Sequence, residues 1–239
     1  MTTVDRGTPN FVKVLAQHSA YCNALEQCGL KLIRREADLT HPDSTFVEDT
    51  AVLTGNSATL ARPGAPTRLG EVAAIRGTVG RFYTNIRTIE APGTLDGGDI
   101  CEAGSHVFIG ISHRTNEEGA RQLGEFLAAD GFTTSMVDIR TMIAILHLKS
   151  GIAYLDNRKL VIMEELAERD AFEGFELLRV PAEESYACNC LQVNDRVLLP
   201  AGFPQLESTL VRHGYNPLLL DMSEFRKMDG GLSCLSLRF

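Results

Sequence analysis

The chain has 239 residues, 44% hydrophobic and 23% charged, a composition that supplies one large globular domain, and no low-complexity or Pro/Ser-rich linker divides residues 1–239. With 23 Lys and Arg against 31 Asp and Glu, the formal net charge is −8. No basic cluster stands out, so nucleic acid is excluded as a partner, and the sign suits a cationic small molecule better than an anionic one. No apolar run approaches the ~20 residues that cross a bilayer, which excludes a membrane partner.

In chain order, "MTTVDRGTPNFVKVL" lacks the basic segment followed by an apolar one that marks a secretory leader, so a cytoplasmic location is expected. "NFVKVLAQHSAYCNALEQCG" then reads as a helix and "LKLIRREA" as a strand. Four stretches that follow share one pattern: "FVEDTAVLTGNSATLARPG", "LDGGDICEAGSHVFIGISHR", "LHLKSGIAYLDNRKLVIMEE" and "ACNCLQVNDRVLLPAGFP". Each opens with polar residues inside a short apolar strand and turns at Gly, Asn or Asp. Each then returns through a second strand, expected at 58–61, 107–111, 160–163 and 197–200. Helical spacing follows in "TRLGEVAAIRGTVGRF", "TNEEGARQLGEFLAADG" and "LESTLVRHGY", and more weakly in "EELAERDAFEGF". Strand-like pieces come next: "RTIEAP", "TTSMVDI", "ELLRVP" and "PLLLDM".

The repeating unit is therefore strand, strand, helix, strand. The chain closes with "LSCLSLRF", expected as the first strand of a fifth unit whose helix and last strand are the two N-terminal pieces. A unit divided between the two ends points to a closed ring, because closure removes exposed sheet edges. The leading strands of the units carry Glu48 and Asp49, Asp96, His147, Asn189 and Cys234. A ring would aim all of them at its axis.

That set has a chemical reading. A cysteine nucleophile needs thiolate character, supplied by a nearby cation or base, and His147 provides one. Carboxylates beside a thiol oppose its ionisation, unless the substrate itself is cationic. A planar guanidinium offers several N–H donors that two carboxylates grip bidentately, which sets its central carbon over the sulfur. Attack on a guanidine or amidine carbon follows. Asp96 and Asp99 both flank the glycine pair of "LDGGD"; position in the repeat favours Asp96 as the acid that meets the histidine, with Asp99 expected to bond backbone nearby. Cys188 and Cys190 form a Cys-x-Cys with no matching second pair, so no metal is expected. Without a leader, the six cysteines are expected as free thiols.

Taken together, "HPDSTFVEDTAV", "RPGAPTR", "APGTLDGGDI", "HRTNEEGAR", "LHLKSG", "EESYACNC" and "DGGLSCLSLRF" resemble the dimethylarginine dimethylaminohydrolases. These are members of the guanidino-modifying superfamily with the α/β, five-bladed propeller fold called the pentein, and the resemblance runs from about Asp5 to Phe239. It implies that Cys234 attacks the guanidino carbon of an Nω-methylated arginine, that His147 protonates the departing amine, and that Asp96 orients His147. It further implies that Asp49 holds the guanidinium with Glu48 beside it. At the far end of the substrate, Arg68 and Arg114 take the α-carboxylate, while Asp43 and the carbonyl of Met228 take the α-amine. No cofactor is implied, and a homodimer is the default expectation.

Two departures from the resemblance shape the expectations. Family members begin earlier, so the N-terminal strand of the split blade is expected to be missing, leaving unpaired backbone beside the Cys234 strand. "DIRTMIAILHLKS" also holds a few more residues before His147 than the resemblance leads one to expect. Three alternatives stand beside the leading one: an arginine deiminase-like amidine hydrolase, a catalytically impaired ligand-binding form, and a metal-binding regulator built on Cys188 and Cys190.

Overall fold

The computed structural model describes residues 6–239; the start of the leader reading and of the resemblance falls on residues 1–5, outside the described residues. Helix α1 (Phe11–Gln27) is capped by the side chain of Asn10, which accepts from the Lys13 amide, and it ends at Cys28. Four copies of one module follow. The first holds β1 (Ala51–Leu53), β2 (Ala58–Leu60), α2 (Glu71–Val79) and β3 (Ile86–Thr88). The second holds β4 (Ile100–Ala103), β5 (His106–Ile111), α3 (Glu117–Ala129) and β6 (Thr133–Asp138). The third holds β7 (Ile152–Leu155), β8 (Lys159–Met163), the short α4 (Glu164–Ala167) and β9 (Glu176–Val180). The fourth holds β10 (Leu191–Val193), β11 (Arg196–Pro200), α5 (Pro204–Arg212) and β12 (Pro217–Leu220), and α6 (Ser223–Arg226) follows it.

Each module forms one three-stranded sheet. Its first two strands pair antiparallel through a tight turn, and the third joins parallel to the second. The parallel partner requires a crossover, which the intervening helix supplies. The middle strands β5, β8 and β11 are buried almost throughout, as central strands covered on both faces are. In β4 and β5, Ile100, Val107, Ile109 and Ile111 join Leu123 and Leu127 of α3 in one core cluster. Asn116 starts α3 by accepting from the Gly119 amide, and the chain leaves α3 through Gly131 at φ +90.

By internal contacts the chain groups into two compact units: residues 36–149 with 234–239, and the residues up to 35 with 150–233. The first unit contains modules one and two; the second contains α1 and modules three and four. Among the described residues no helix is long and apolar enough to cross a membrane.

Two expectations are corrected. The polar residues do not lie inside the leading strands but in short 3-10 turns or bends just before them: Val47–Thr50, Gly97–Asp99 after Asp96, Leu148–Ser150 after His147, Ala182–Cys188 before Asn189, and Ser233–Leu235 around Cys234. Neither "LSCLSLRF" nor "LKLIRREA" forms a strand, because no ladder partner meets either among the described residues. The additional residues before His147 do not disturb register. β6 stays paired with β5 from Thr133 to Asp138, and the surplus is taken up by a turn at Ile139–Met142 and an exposed Ile143.

Candidate active site

Eight of the nine candidate residues belong to one compact unit: Asp43, Glu48, Asp49, Arg68, Asp96, Arg114, His147 and Cys234. Met228 belongs to the other unit, in the turn after α6, where its amide donates to the Phe225 carbonyl.

At the centre, Nε2 of His147 lies 3.0 Å from Oδ2 of Asp96 and 4.0 Å from Oδ1 of Asp49. All three side chains are buried. Asp96 is fixed in turn: its Oδ1 accepts from the Gly64 amide and its amide donates to the Thr115 hydroxyl. The structure thereby settles which acid of "LDGGD" meets the histidine. Asp99 bonds elsewhere, to the Ser112 hydroxyl and the Leu148 amide.

The glycine pair makes the cluster fit. A Cβ on Gly98 would lie 2.8 Å from Oδ1 of Asp49 and from Cγ and Nδ1 of His147, and a Cβ on Gly97 would lie 2.0 Å from the Glu48 carbonyl oxygen. With no side chain there, the Gly98 amide donates directly to Oδ1 of Asp49 at 2.8 Å. Gly98→Ala is expected to lower kcat/KM by ~100-fold by displacing the imidazole. Steady-state kinetics decide it: a value within twofold of wild type would show that the close approach is dispensable.

Burial works against charge on His147, but the carboxylates of Asp49, Asp96 and Asp99 outweigh it and push its pKa up to about 10. The imidazolium is the resting form at neutral pH. Because the folded pKa lies above the ordinary value of 6.5, its contribution to stability is complete below that value and is lost as pH rises through about 10. Between those limits wild-type unfolding free energy should fall with pH by up to ~1.4 kcal/mol per unit more steeply than that of His147→Gln. Parallel denaturation curves for the two proteins from pH 6 to 10 would contradict this.

One oxygen each from Asp49 and Asp96 and one nitrogen of His147 lie within 4.8 Å of one another, the sole such group of His, Cys, Asp and Glu among the described residues. A metal ion there would have to displace the proton that the same carboxylates hold on His147, and to compete with Arg68 for Asp49. The donor set is better matched to proton transfer. Cys188 and Cys190, the candidate metal pair, are both fully buried, and burial raises the Cys188 pKa well above its usual value.

Arg68 departs from the role expected of it. It is buried, and its guanidinium pairs with Oδ2 of Asp49 and, through Nε and Nη2, with Glu71 at 2.8–3.1 Å. Nη2 also donates to the carbonyls of Phe46 and Asp43 at 2.9 and 3.2 Å. At most one N–H, on Nη1, remains, too few for a bidentate grip on a carboxylate. Glu48 likewise faces two protein cations, Lys149 and Arg238, at Oε1. Arg114 and Asp43 differ: both are half-buried, and the side chain of neither has a hydrogen-bond partner among the described residues.

All six cysteines are free thiols, and Cys234 alone is not buried. The segment that carries it lies against module one. Leu237 packs on the cluster of Ala51, Leu60 and Ile75, Arg238 reaches Glu48 at 3.3 Å, and the Phe239 ring meets Phe82 tilted and Tyr83 edge-on. In the other unit, Asn189 accepts from the Ser233 amide and donates to the Ser233 hydroxyl.

The profile of the family described as arginine deiminase matches residues 40–189. An N(G),N(G)-dimethylarginine dimethylaminohydrolase of Pseudomonas aeruginosa is 44% identical over 100% of this chain and 93% of its own length. The chain belongs to the dimethylarginine dimethylaminohydrolase family. A structure of the P. aeruginosa enzyme complexed with citrulline superposes with a TM-score of 0.96, at 44% identity, over 100% of this chain and 93% of that one. A family structure holding an adduct with S-methyl-L-thiocitrulline gives 0.93, also at 44% identity, over 98% and 91%. The fold class is therefore the α/β pentein propeller of this family.

Sequence reasoning missed three residues of this family member's site. Glu71 lies three positions after Arg68 on the first turn of α2, the spacing at which helix side chains meet, and that spacing was available as a signal. Lys149 follows His147 by two in "LHLKSG", and Arg238 stands four after Cys234. Neither offers a local signal, because their shared partner Glu48 is far away in sequence.

Proposed function

We propose that this chain hydrolyses Nω-methylated arginines to citrulline and a methylamine, as a cysteine-dependent amidine hydrolase. The observation that carries the reading is the buried His147–Asp96–Asp49 cluster, in the same compact unit as the chain's one unburied thiol.

Asp49 receives the guanidinium. Its two oxygens accept one donor each, from Gly98 and Arg68, and a carboxylate has about four acceptor sites, so two are left for substrate N–H groups. Glu48 stands beside it, its own charge met by Lys149 and Arg238. Arg114 takes the α-carboxylate and Asp43 the α-amine, since their charges are half-buried and unmatched by protein among the described residues. Arg68 holds Asp49 in place.

A second cation beside Asp49 also satisfies part of the charge that keeps the proton on His147. Substrate binding thus makes His147 a stronger acid at the moment an acid is needed. The Cys234 thiolate adds to the guanidino carbon, the bond from that carbon to the methylated nitrogen breaks, and the His147 proton leaves on the amine. The resulting S-alkylthiouronium is attacked by water, which gives one proton to His147 and the other to solvent as the C–S bond breaks, restoring the thiolate and releasing citrulline. Asp96 keeps the imidazole aimed through both steps.

The family profile that matches is named for arginine deiminase, so free arginine is the substrate to compare. Purified protein is expected to release dimethylamine and citrulline from asymmetric dimethylarginine, and little ammonia from arginine. Ammonia from arginine with no dimethylamine from its methylated form would transfer the assignment to a deiminase. Calorimetric binding of methylarginine without product would mark a binding protein. We further read the chain as a cytoplasmic homodimer. The free thiols support the first point, and the exposed Phe11, Val12 and Leu15 on α1 support the second; sedimentation would show twice the chain mass.

A further inference from the structure

Asp99 is fully buried, carries a charge, and has no role in the reaction as described. Its Oδ1 accepts from the Leu148 amide at 3.0 Å, and its Oδ2 accepts from the Ser112 hydroxyl at 2.7 Å. Leu148 directly follows His147. Ser112 Oγ in turn accepts from the amides of Arg114 and Thr115 at 2.9 and 3.1 Å, and the Thr115 hydroxyl receives the Asp96 amide. β5 passes close by: a Cβ on Gly110 would lie 2.8 Å from Leu148 Cβ and 2.9 Å from Oδ1 of Asp99. One carboxylate therefore ties together the backbones of three site residues: His147, Arg114 and, through Thr115, Asp96.

Only a carboxylate suits this place. The Ser112 oxygen spends both lone pairs on amide donors, so its own proton must go to Asp99, and Leu148 offers a second N–H. Donors from Ser112, Leu148 and the Thr115 hydroxyl converge on its two oxygens, and an amide side chain would set a donor against one of them. The charged group facing Asp99 is His147, whose charge Asp99 supports together with Asp49 and Asp96. Burial nonetheless pushes Asp99 itself up to about 6, so it is ionised in the neutral range.

We propose that Asp99 is a positioning residue: it anchors the backbone that aims His147 and Arg114, and its buried charge keeps the imidazolium in place. The kinetic part of this rests on the hydrolase reading; the anchoring does not.

The test compares Asp99→Asn and Ser112→Ala with wild type. Asp99→Asn is expected to lower kcat ~10- to 100-fold with KM little changed, and to move the NMR titration of the His147 ring to lower pH. Ser112→Ala keeps the charge and frees the Arg114 loop, so KM for dimethylarginine should rise several-fold while the His147 titration stays put. An unchanged His147 titration and a kcat within twofold in Asp99→Asn would overturn the proposal. If that variant does not fold, unchanged kinetic constants in Ser112→Ala would do so. Absence of turnover by the wild type would instead retire the hydrolase reading, and the ring titration would still decide the role of Asp99.

Discussion

Replacing Cys234 with serine is expected to cut turnover of dimethylarginine by ~10⁴-fold or more, since the covalent step has no substitute nucleophile. A hydroxyl lacks the thiol's ionisation near neutral pH. Substrate binding should survive, because Asp49, Arg114 and Asp43 are untouched. A halogenated amidine gives the matching chemical result: one adduct per wild-type chain by intact mass, mapped to Cys234, and none on the serine variant. The other five cysteines are buried, and burial raises the pKa of Cys22, Cys28 and Cys188, so they should stay silent. Labelling at any of them in the folded protein, or turnover by the variant above ~1% of wild type, would remove Cys234 from its role.

The second large effect is on stability as well as activity. Arg68→Ala strands Asp49 and Glu71, two buried carboxylates that meet its guanidinium from opposite ends. Removing one partner of a buried ion pair costs about 3–5 kcal/mol, because the remaining charge keeps its desolvation penalty without compensation. Denaturant midpoints will show whether the loss is of that size, and the folded fraction should be nearly inactive because Asp49 loses its anchor. Arg68→Lys should recover only part of either quantity, as a point charge cannot span both acids. Arg114→Ala provides the contrast. Its side chain makes no hydrogen bond to protein among the described residues, so stability should move by less than about 0.5 kcal/mol while KM rises. Should Arg114→Ala destabilise the fold as Arg68→Ala does, the division of labour between the two arginines would be wrong.

The periodic parts of the fold were legible in the sequence. Turn residues between alternating apolar runs located the hairpins, and the four middle strands fall within a residue of the stretches expected for them. That signal is local, and so is the helical spacing of α3 and α5. The strand expected in "LSCLSLRF" was misread because alternation records only a tendency, whereas a strand exists when a partner supplies its ladder. The same limit applies to the placement of the functional side chains. Repeat position identified Asp96, His147 and Asn189, but not that they flank 3-10 turns instead of lying within strands. "LDGGD" could not by itself rank its two acids. The choice was made by Gly64 and Thr115, which hold Asp96, and by Ser112 and Leu148, which hold Asp99; all four lie outside the motif. Arg68 shows the hardest case, since a positive charge in a loop looks the same whether it awaits a ligand or is already neutralised.

Asp49, Asp96 and His147 come from one continuous stretch of the chain, whereas Cys234 belongs to the same unit from beyond residues 150–233, which belong to the other. On the hydrolase reading, Cys234 becomes the nucleophile only once its segment has joined that unit. The rate at which an amidine electrophile captures this one sulfur is then a clock for assembly, reading out when a refolding chain has brought its last segment home.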